Sequence, residues 1–173
     1  MDIAVAVGLG AAYSAAFCLV FFALLIGGVL VAPDTMVGDY PPAIQERYGP
    51  KSARGRRVGA VLGPVVLVVF LAAIVAGALH LDGAGSGEAG FWDGFWFGVT
   101  FMVVAHLIDL VLVDWLLFCT IRPAFVVLPG TEDMPEYRDY AFHLKVLFPR
   151  PLPWPILLIP VLGLVVGTIT ALV

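Results

Sequence analysis

Long apolar runs alternate with short polar segments along this chain. Four of the runs, about 3–31, 58–80, 94–121 and 155–173, are long enough to cross a bilayer. About 20 residues at 1.5 Å each span the hydrocarbon core, and a crossing segment must satisfy its own backbone hydrogen bonds, which favours helices. The pattern therefore predicts an all-α integral membrane protein. We expect a single four-span domain with the four transmembrane helices in an antiparallel up-down bundle.

The composition is consistent with lipid as the surrounding solvent. Of the 173 residues, 61% are apolar and 13% are charged, against roughly 25% charged residues in soluble domains. The first apolar run has no basic segment before it, and it exceeds the ~7–15 apolar residues of a signal peptide. We therefore expect this run to be retained as the first transmembrane span.

The positive charges predict an orientation. All nine Lys and Arg residues lie in two polar segments, 33–57 and 122–152, which we call the first and the second polar segment. Basic residues beside apolar spans stay in the cytoplasm. We therefore expect both polar segments to be cytoplasmic, with the loop 81–93 and both termini outside.

The same charges indicate the surroundings of the protein. Cations confined to the membrane faces do not indicate nucleic-acid binding, so the lipid bilayer is the expected partner. Seven of the nine cations are Arg, and Ala, Val and Gly are abundant. This composition is typical of a high-GC prokaryote and predicts the cytoplasmic (inner) membrane.

The polar segments carry signals for short interfacial helices. Pro41-Pro42 can open a helix over 43–48. In the second polar segment, Asp133 followed by Glu136 resembles a capping box at the start of a longer helix. We expect both helices to lie at the inner membrane surface.

The third apolar run holds the residues best suited to chemistry. Asp109 lies near the middle of this run, where a carboxylate costs about 2.5–3.5 kcal/mol, and His106 lies one helical turn before it. Asp114 would lie about 140° around an α-helix from Asp109, on a different face. Tyr13 and Ser14 in the first run reach a similar depth as hydrogen-bond partners. We interpret the five residues as a coupling site for transport or permeation of a small solute or proton; interhelical hydrogen bonding alone is the alternative.

A second group gives a different functional hypothesis. Glu136, Asp139 and His143 share one flank of the helix predicted after Asp133. They could act as general acid and base toward a lipid headgroup, which would make the protein an inner-leaflet membrane enzyme. A solvated helix face is the simpler interpretation of the same residues, and a non-catalytic assembly subunit is a third function.

Two further groups concern lipid and packing. Arg54, Arg56 and Arg57 would attract anionic lipid headgroups at the membrane surface. Gly163 and Gly167 are spaced for close helix packing, either inside one protein or in a homo-oligomer. We predict no metal and no cofactor, because His106 and Asp109 lack an obvious third ligand for a metal ion.

Overall fold

The computed structural model describes residues 3–84 and 89–172, and these form helices joined by short connections. The long helices are α1 (Ile3–Val31), α3 (Ala53–Ala84), α4 (Phe91–Ile108), which continues as a π-helix (Asp109–Ile121), and α6 (Trp154–Leu172). The short helices are a 3-10 helix (Pro33–Asp39), α2 (Pro42–Tyr48), a second 3-10 helix (Pro135–Arg138) and α5 (Tyr140–Val146).

The prediction of an all-helical protein with four membrane-spanning helices is confirmed at the level of length and composition. Four helices of 19 to 32 residues are long and apolar enough to cross a membrane. In the most apolar 18-residue stretch of α3, only 6% of the residues are buried inside the protein. Such a continuous exposed apolar surface is stable in lipid and not in water.

The second span starts earlier than predicted because its first turn is capped. The Asp34 carboxylate accepts hydrogen bonds from the Ser52 backbone N–H and from the Ser52 hydroxyl, the latter at 3.1 Å. The Ser52 hydroxyl in turn accepts a hydrogen bond from the Gly55 N–H at 2.9 Å, which is the bonding of an N-cap residue. The helix therefore starts at Ala53, and its basic residues lie in the first turns.

The predicted external loop 81–93 is mostly helical where it is described. Helix α3 continues to Ala84, and α4 begins at Phe91. Asp93 caps this second helix, since its carboxylate accepts a hydrogen bond from the Gly90 N–H at 2.9 Å. Residues 85–88 of the predicted loop lie outside the described residues.

By contacts, the chain divides into two compact units. Unit 1 comprises Met1–Leu19, Val69–Ile108 and Leu147–Val173, and unit 2 comprises Val20–Val68 and Asp109–Val146. Each unit has a hydrophobic core of its own.

The core of unit 1 surrounds two buried phenylalanines, Phe97 and Phe101. Tyr13 on α1 packs edge-on against Phe97, with ring centroids 6.2 Å apart. A Cβ added at Gly10 would lie only 2.6 Å from the Phe97 carbonyl oxygen, and Gly77 on α3 borders the same ring. Glycine thus lets α1 and α3 approach α4 closely, as small residues do in lipid.

Gly163 and Gly167 serve the packing of α6 on α4 inside unit 1. A Cβ at Gly163 would lie 2.7 Å from the Val99 side chain and 3.0 Å from the Phe95 carbonyl oxygen. A Cβ at Gly167 would lie 2.7 Å from the Phe91 carbonyl oxygen. Contact within one chain therefore accounts for both glycines without a homo-oligomer.

The core of unit 2 is aromatic and connects the two polar segments. The Phe118 ring lies 4.8 Å from the ring of Tyr40 and 5.4 Å from that of Tyr137, measured between centroids. Arg47 on α2 donates a hydrogen bond from Nε to the Gly130 carbonyl at 3.0 Å. The polar segments are thus folded onto the π-helix and onto each other.

The helix predicted to follow Asp133 is divided into two short ones. The 3-10 helix Pro135–Arg138 ends at Asp139, whose backbone is not helical (φ −83°, ψ 79°). The Asp139 carboxylate then accepts a hydrogen bond from the Phe142 N–H at 2.9 Å. Asp139 caps α5 as a new helix, so the prediction of one continuous helix was wrong.

Candidate functional site

The π-helix at the end of the third span builds one wall of a cavity in unit 2. Its backbone hydrogen bonds join residue i to i+5, so one turn holds more than the 3.6 residues of an α-helix. The five residues that face the cavity follow this longer turn, at i, i+4, i+5, i+8 and i+9: Asp109, Val113, Asp114, Leu117 and Phe118.

This geometry corrects one prediction. Asp109 and Asp114 were expected about 140° apart on an α-helix, whereas both line the same cavity. Residues five apart come nearly into line when the turn lengthens, so the π-helix places two carboxyl groups on one face. The π-helix is rare, and its usual form, a single turn inside an α-helix, is frequent at functional sites.

The cavity has a volume of about 290 Å³ and a largely apolar wall. Its other lining residues come from α1, the first polar segment, the loop after the π-helix and α5: Phe21, Leu25, Ile26, Val29, Met36, Asp39, Tyr40, Phe125, Val126 and His143. Three carboxyl groups and one imidazole are therefore set in an otherwise apolar and aromatic surface.

A buried ion pair or hydrogen bond joins two of these groups. His143 Nδ1 lies 3.1 Å from Asp114 Oδ1, and the side chains are 5% and 26% exposed, respectively. The Phe118 ring packs on the imidazole with centroids 4.8 Å apart. Packing therefore fixes the imidazole in a buried position, whereas the Asp114 carboxylate that bonds it is partly exposed.

The second ring nitrogen of His143 has no hydrogen-bond partner among the described residues, although it is buried. An ionised Asp114 can only accept hydrogen bonds, so Nδ1 carries the proton of their shared bond. In the neutral ring, Nε2 is then an acceptor without a donor. Because buried polar atoms are nearly always paired with protein or water, this nitrogen is a group that can bond a partner inside the cavity.

Asp39 lies where the cavity meets a neighbouring groove of unit 2, since it lines both. Loss of hydration raises the pKa of the Asp39 carboxyl above its ordinary value, the Lys51 ammonium opposes this, and Asp114 adds to it. Lys51 itself donates a hydrogen bond to the Thr35 carbonyl at 2.6 Å. Asp39 is thus an acid at the cavity edge whose pKa is raised mainly by loss of hydration.

Tyr40 fixes the wall opposite the π-helix. Its hydroxyl group donates a hydrogen bond to the Val126 carbonyl at 2.7 Å. Burial raises the pKa of this hydroxyl well above its ordinary value, with Tyr137 and Asp39 adding to the effect. Tyr40 therefore stays neutral and acts as a structural donor, not as a proton carrier.

The other residues predicted for the coupling site lie in unit 1. His106 Nδ1 lies 2.8 Å from the Met102 carbonyl oxygen, which satisfies that nitrogen within its own helix. The Tyr13 hydroxyl lies 3.2 Å from His80 Nδ1. Ser14 is fully buried, and its hydroxyl has no partner among the described residues. Asp109 and Asp114 belong to unit 2.

The residues of the alternative enzyme site have different contacts and different exposure in the structure. His143 faces the cavity and bonds Asp114, whereas Asp139 is exposed and caps α5. Glu136 has a buried carboxylate oxygen without a partner among the described residues. The structure thus brings His143 to the acids of the third span and not to its own sequence neighbours.

Sequence reasoning missed Asp39, Tyr40 and the pairing of His143 with Asp114. A signal for the pairing existed, because a carboxylate inside an apolar span needs a partner. The nearest histidine in the sequence, His106, was assigned to this role. The second polar segment instead brings His143 back to Asp114. The spacing of residues along the chain does not predict this contact.

The basic residues at the start of α3 lie at two grooves. Arg56 donates a hydrogen bond to the Lys51 carbonyl at 2.6 Å, and these two residues line the groove that Asp39 also borders. Arg57 lines a second, apolar groove between α1 and α3. Arg54 is exposed. Anionic headgroups at these residues remain a prediction.

Within residues 3–84 and 89–172, no three His, Cys, Asp or Glu side chains are grouped closely enough to hold a metal ion. The site therefore consists of two acids on the π-helix, an acid at the cavity edge and a buried histidine. Comparison of the chain with protein-family models, with curated proteins and with solved structures found no match.

Proposed function

We propose that this protein moves a small solute or protons across a membrane, with Asp109, Asp114 and His143 as the groups that bind and release the proton or solute. The observation that carries the proposal is the unpartnered Nε2 of buried His143, in a cavity whose wall is the π-helix of a span. The proposal keeps the transport hypothesis from the sequence but replaces His106 by His143 as the partner of Asp109 and Asp114.

The chemistry of these groups is suited to reversible charge transfer. Imidazole changes charge nearest to neutral pH among the side chains, and intramembrane acids commonly form ion pathways and proton relays. The charged groups around His143 are Asp114, which bonds it, and Asp109 and Asp39 on the cavity wall, with Lys51 acting on Asp39. A proton on Nε2 can therefore be exchanged with a carboxyl group or an incoming solute.

A flux measurement tests the proposal. Purified protein is reconstituted in liposomes with a pH-sensitive dye inside, and a pH step is applied. We expect Asp109→Asn and His143→Gln to slow the proton flux at least about tenfold, as the loss of one charge-assisted hydrogen bond implies. Asp133→Asn is the control, because this acid is 74% exposed and pairs with Arg47. Wild-type flux in both cavity variants would refute the proposal.

The proposed orientation places the cavity at the cytoplasmic end of the spans, in a prokaryotic cytoplasmic membrane and with antiparallel neighbouring spans. The support is that all Lys and Arg lie in the two polar segments. A membrane-impermeant maleimide tests it on single-cysteine variants in spheroplasts. We expect Ser86→Cys to react from outside and Glu46→Cys to react only after permeabilisation. The reverse pattern would invert the orientation.

The unpartnered Nε2 also supports a second candidate, a membrane enzyme in which Asp114 orients His143 as a general base. One imidazole nitrogen contacts a carboxylate while the other is free to act as a base, an arrangement that recurs where a third group orients a catalytic base. Glu136 and Asp139 have no part in this version. Turnover of a membrane lipid by the wild type but not by His143→Gln, detected by mass spectrometry without proton flux, would favour the enzyme.

A further inference from the structure

We infer that the cavity of unit 2 binds a protonated primary or secondary amine that carries an apolar group. The inference rests on the proposed function, because it names the class of solute for the same cavity. Three features of the cavity support this class of ligand: the charge of its lining residues, the hydrogen-bonding capacity of His143 and the apolar, aromatic side chains of its wall.

The charge of the lining selects a cation. Besides Tyr40, which stays neutral, the ionisable lining residues are Asp39, Asp109, Asp114 and His143, and none of the described lining residues is Lys or Arg. An ionised carboxylate inside a protein is costly unless an opposite charge or hydrogen-bond donors compensate it. An ammonium group supplies both the charge and the donors, whereas an anion would add to the repulsion.

His143 favours a cation that carries N–H groups. Nδ1 of His143 contacts the Asp114 carboxylate, and Nε2 is buried without a partner among the described residues. With a neutral ring and an ionised Asp114, Nδ1 carries the proton and Nε2 is an acceptor. A primary or secondary ammonium can donate one hydrogen bond to this nitrogen and another to a carboxylate oxygen. A quaternary ammonium has no N–H and would leave Nε2 unpaired.

The wall and the volume define the rest of the molecule. Phe21, Phe118 and Phe125 line the cavity together with aliphatic side chains, and aromatic faces attract cations as well as apolar groups. The volume of about 290 Å³ is just below the roughly 300–1,000 Å³ of small-molecule sites. One ring or a short branched chain next to the amine is therefore the expected size.

Three probes that share a benzyl group test the inference by calorimetry. They are benzylamine, benzyltrimethylammonium and benzyl alcohol, titrated into protein in nanodiscs of phosphatidylcholine. We expect benzylamine to bind and the other two to bind at least about tenfold more weakly, because each lacks either the N–H donors or the charge. Asp109→Asn and His143→Gln should weaken benzylamine binding by a similar factor, and Asp133→Asn should leave it unchanged.

Either of two results would overturn the inference: equal binding of benzyl alcohol and benzylamine, or unchanged benzylamine binding in both cavity variants. If His143→Gln does not fold, by gel filtration, the near-isosteric Asp109→Asn and the probe series decide. The outcome also separates the two proposals. Benzylamine binding without any flux in liposomes would end the transport proposal alone, and proton flux without benzylamine binding would end the amine inference alone.

Discussion

The bond between Asp114 and His143 should couple the π-helix energetically to α5, and a double-mutant cycle measures this coupling. The variants are Asp114→Asn, His143→Gln and the double variant. Hydrogen bonds to charged groups contribute about 1.5–3 kcal/mol. Because the Asp114 side chain is still 26% exposed, water screens one partner, and we expect a coupling energy in the lower half of that range, about 1.5–2 kcal/mol.

The free energies of unfolding are measured in mixed micelles with increasing denaturing detergent, followed by circular dichroism. A control cycle uses Arg47 and Asp133, whose guanidinium and carboxylate lie 3.4 Å apart but are 53% and 74% exposed. For this surface pair we expect at most about 1 kcal/mol of coupling. A coupling below about 0.5 kcal/mol for Asp114 and His143 would be additivity within error, and it would refute their assignment as a structural and functional pair.

Three further predictions follow from single contacts. Gly163→Ala should destabilise the protein by about 1–3 kcal/mol, because the new Cβ overpacks the contact with α4. Gly8→Ala is the control and should not destabilise it, since a Cβ there meets nothing within 4 Å. Thermal unfolding of the two variants compares them. Tyr40→Phe should cost about 1–3 kcal/mol in the same assay, because the Val126 carbonyl loses its buried donor. Asp39→Asn should remove part of the pH dependence of stability. The folded-state pKa of Asp39 is raised, so the folded protein binds this proton more tightly than the unfolded chain does. Wild-type stability therefore falls as pH rises from about 4 through the folded pKa. A wild-type pH profile identical to that of Asp39→Asn would contradict this reasoning.

Hydropathy alone predicted the four helices that are long and apolar enough to cross a membrane. The first span was predicted at 3–31 and found at Ile3–Val31, and the proline-initiated helix over 43–48 was found as Pro42–Tyr48. These features depend on residues that are neighbours in the chain: an apolar run must be long enough to cross lipid, and a proline sets the first turn. The early start of α3 at Ala53 was missed because the prediction followed the apolar run alone, although its N-cap, Ser52, is a local signal. The bonds from Ser52 to Asp34 join residues far apart in the sequence.

The candidate site was only partly predictable. The sequence identified Asp109 and Asp114 as costly acids that need partners, but a run that is apolar on all sides carries no periodicity to distinguish a π-helix from an α-helix. The sequence also placed His143 on a surface helix, whereas the structure buries it against Phe118.

The sequence by itself therefore determined that four long helices are apolar enough to cross a membrane, and approximately where they lie, because the length and hydropathy of an apolar run are properties of that run alone. Only the tertiary structure decided which acid meets which histidine. That choice depends on the length of the helical turn after Ile108 and on the path by which the second polar segment returns to the third span. Both depend on packing between residues far apart in the chain, so the local sequence pattern does not predict them.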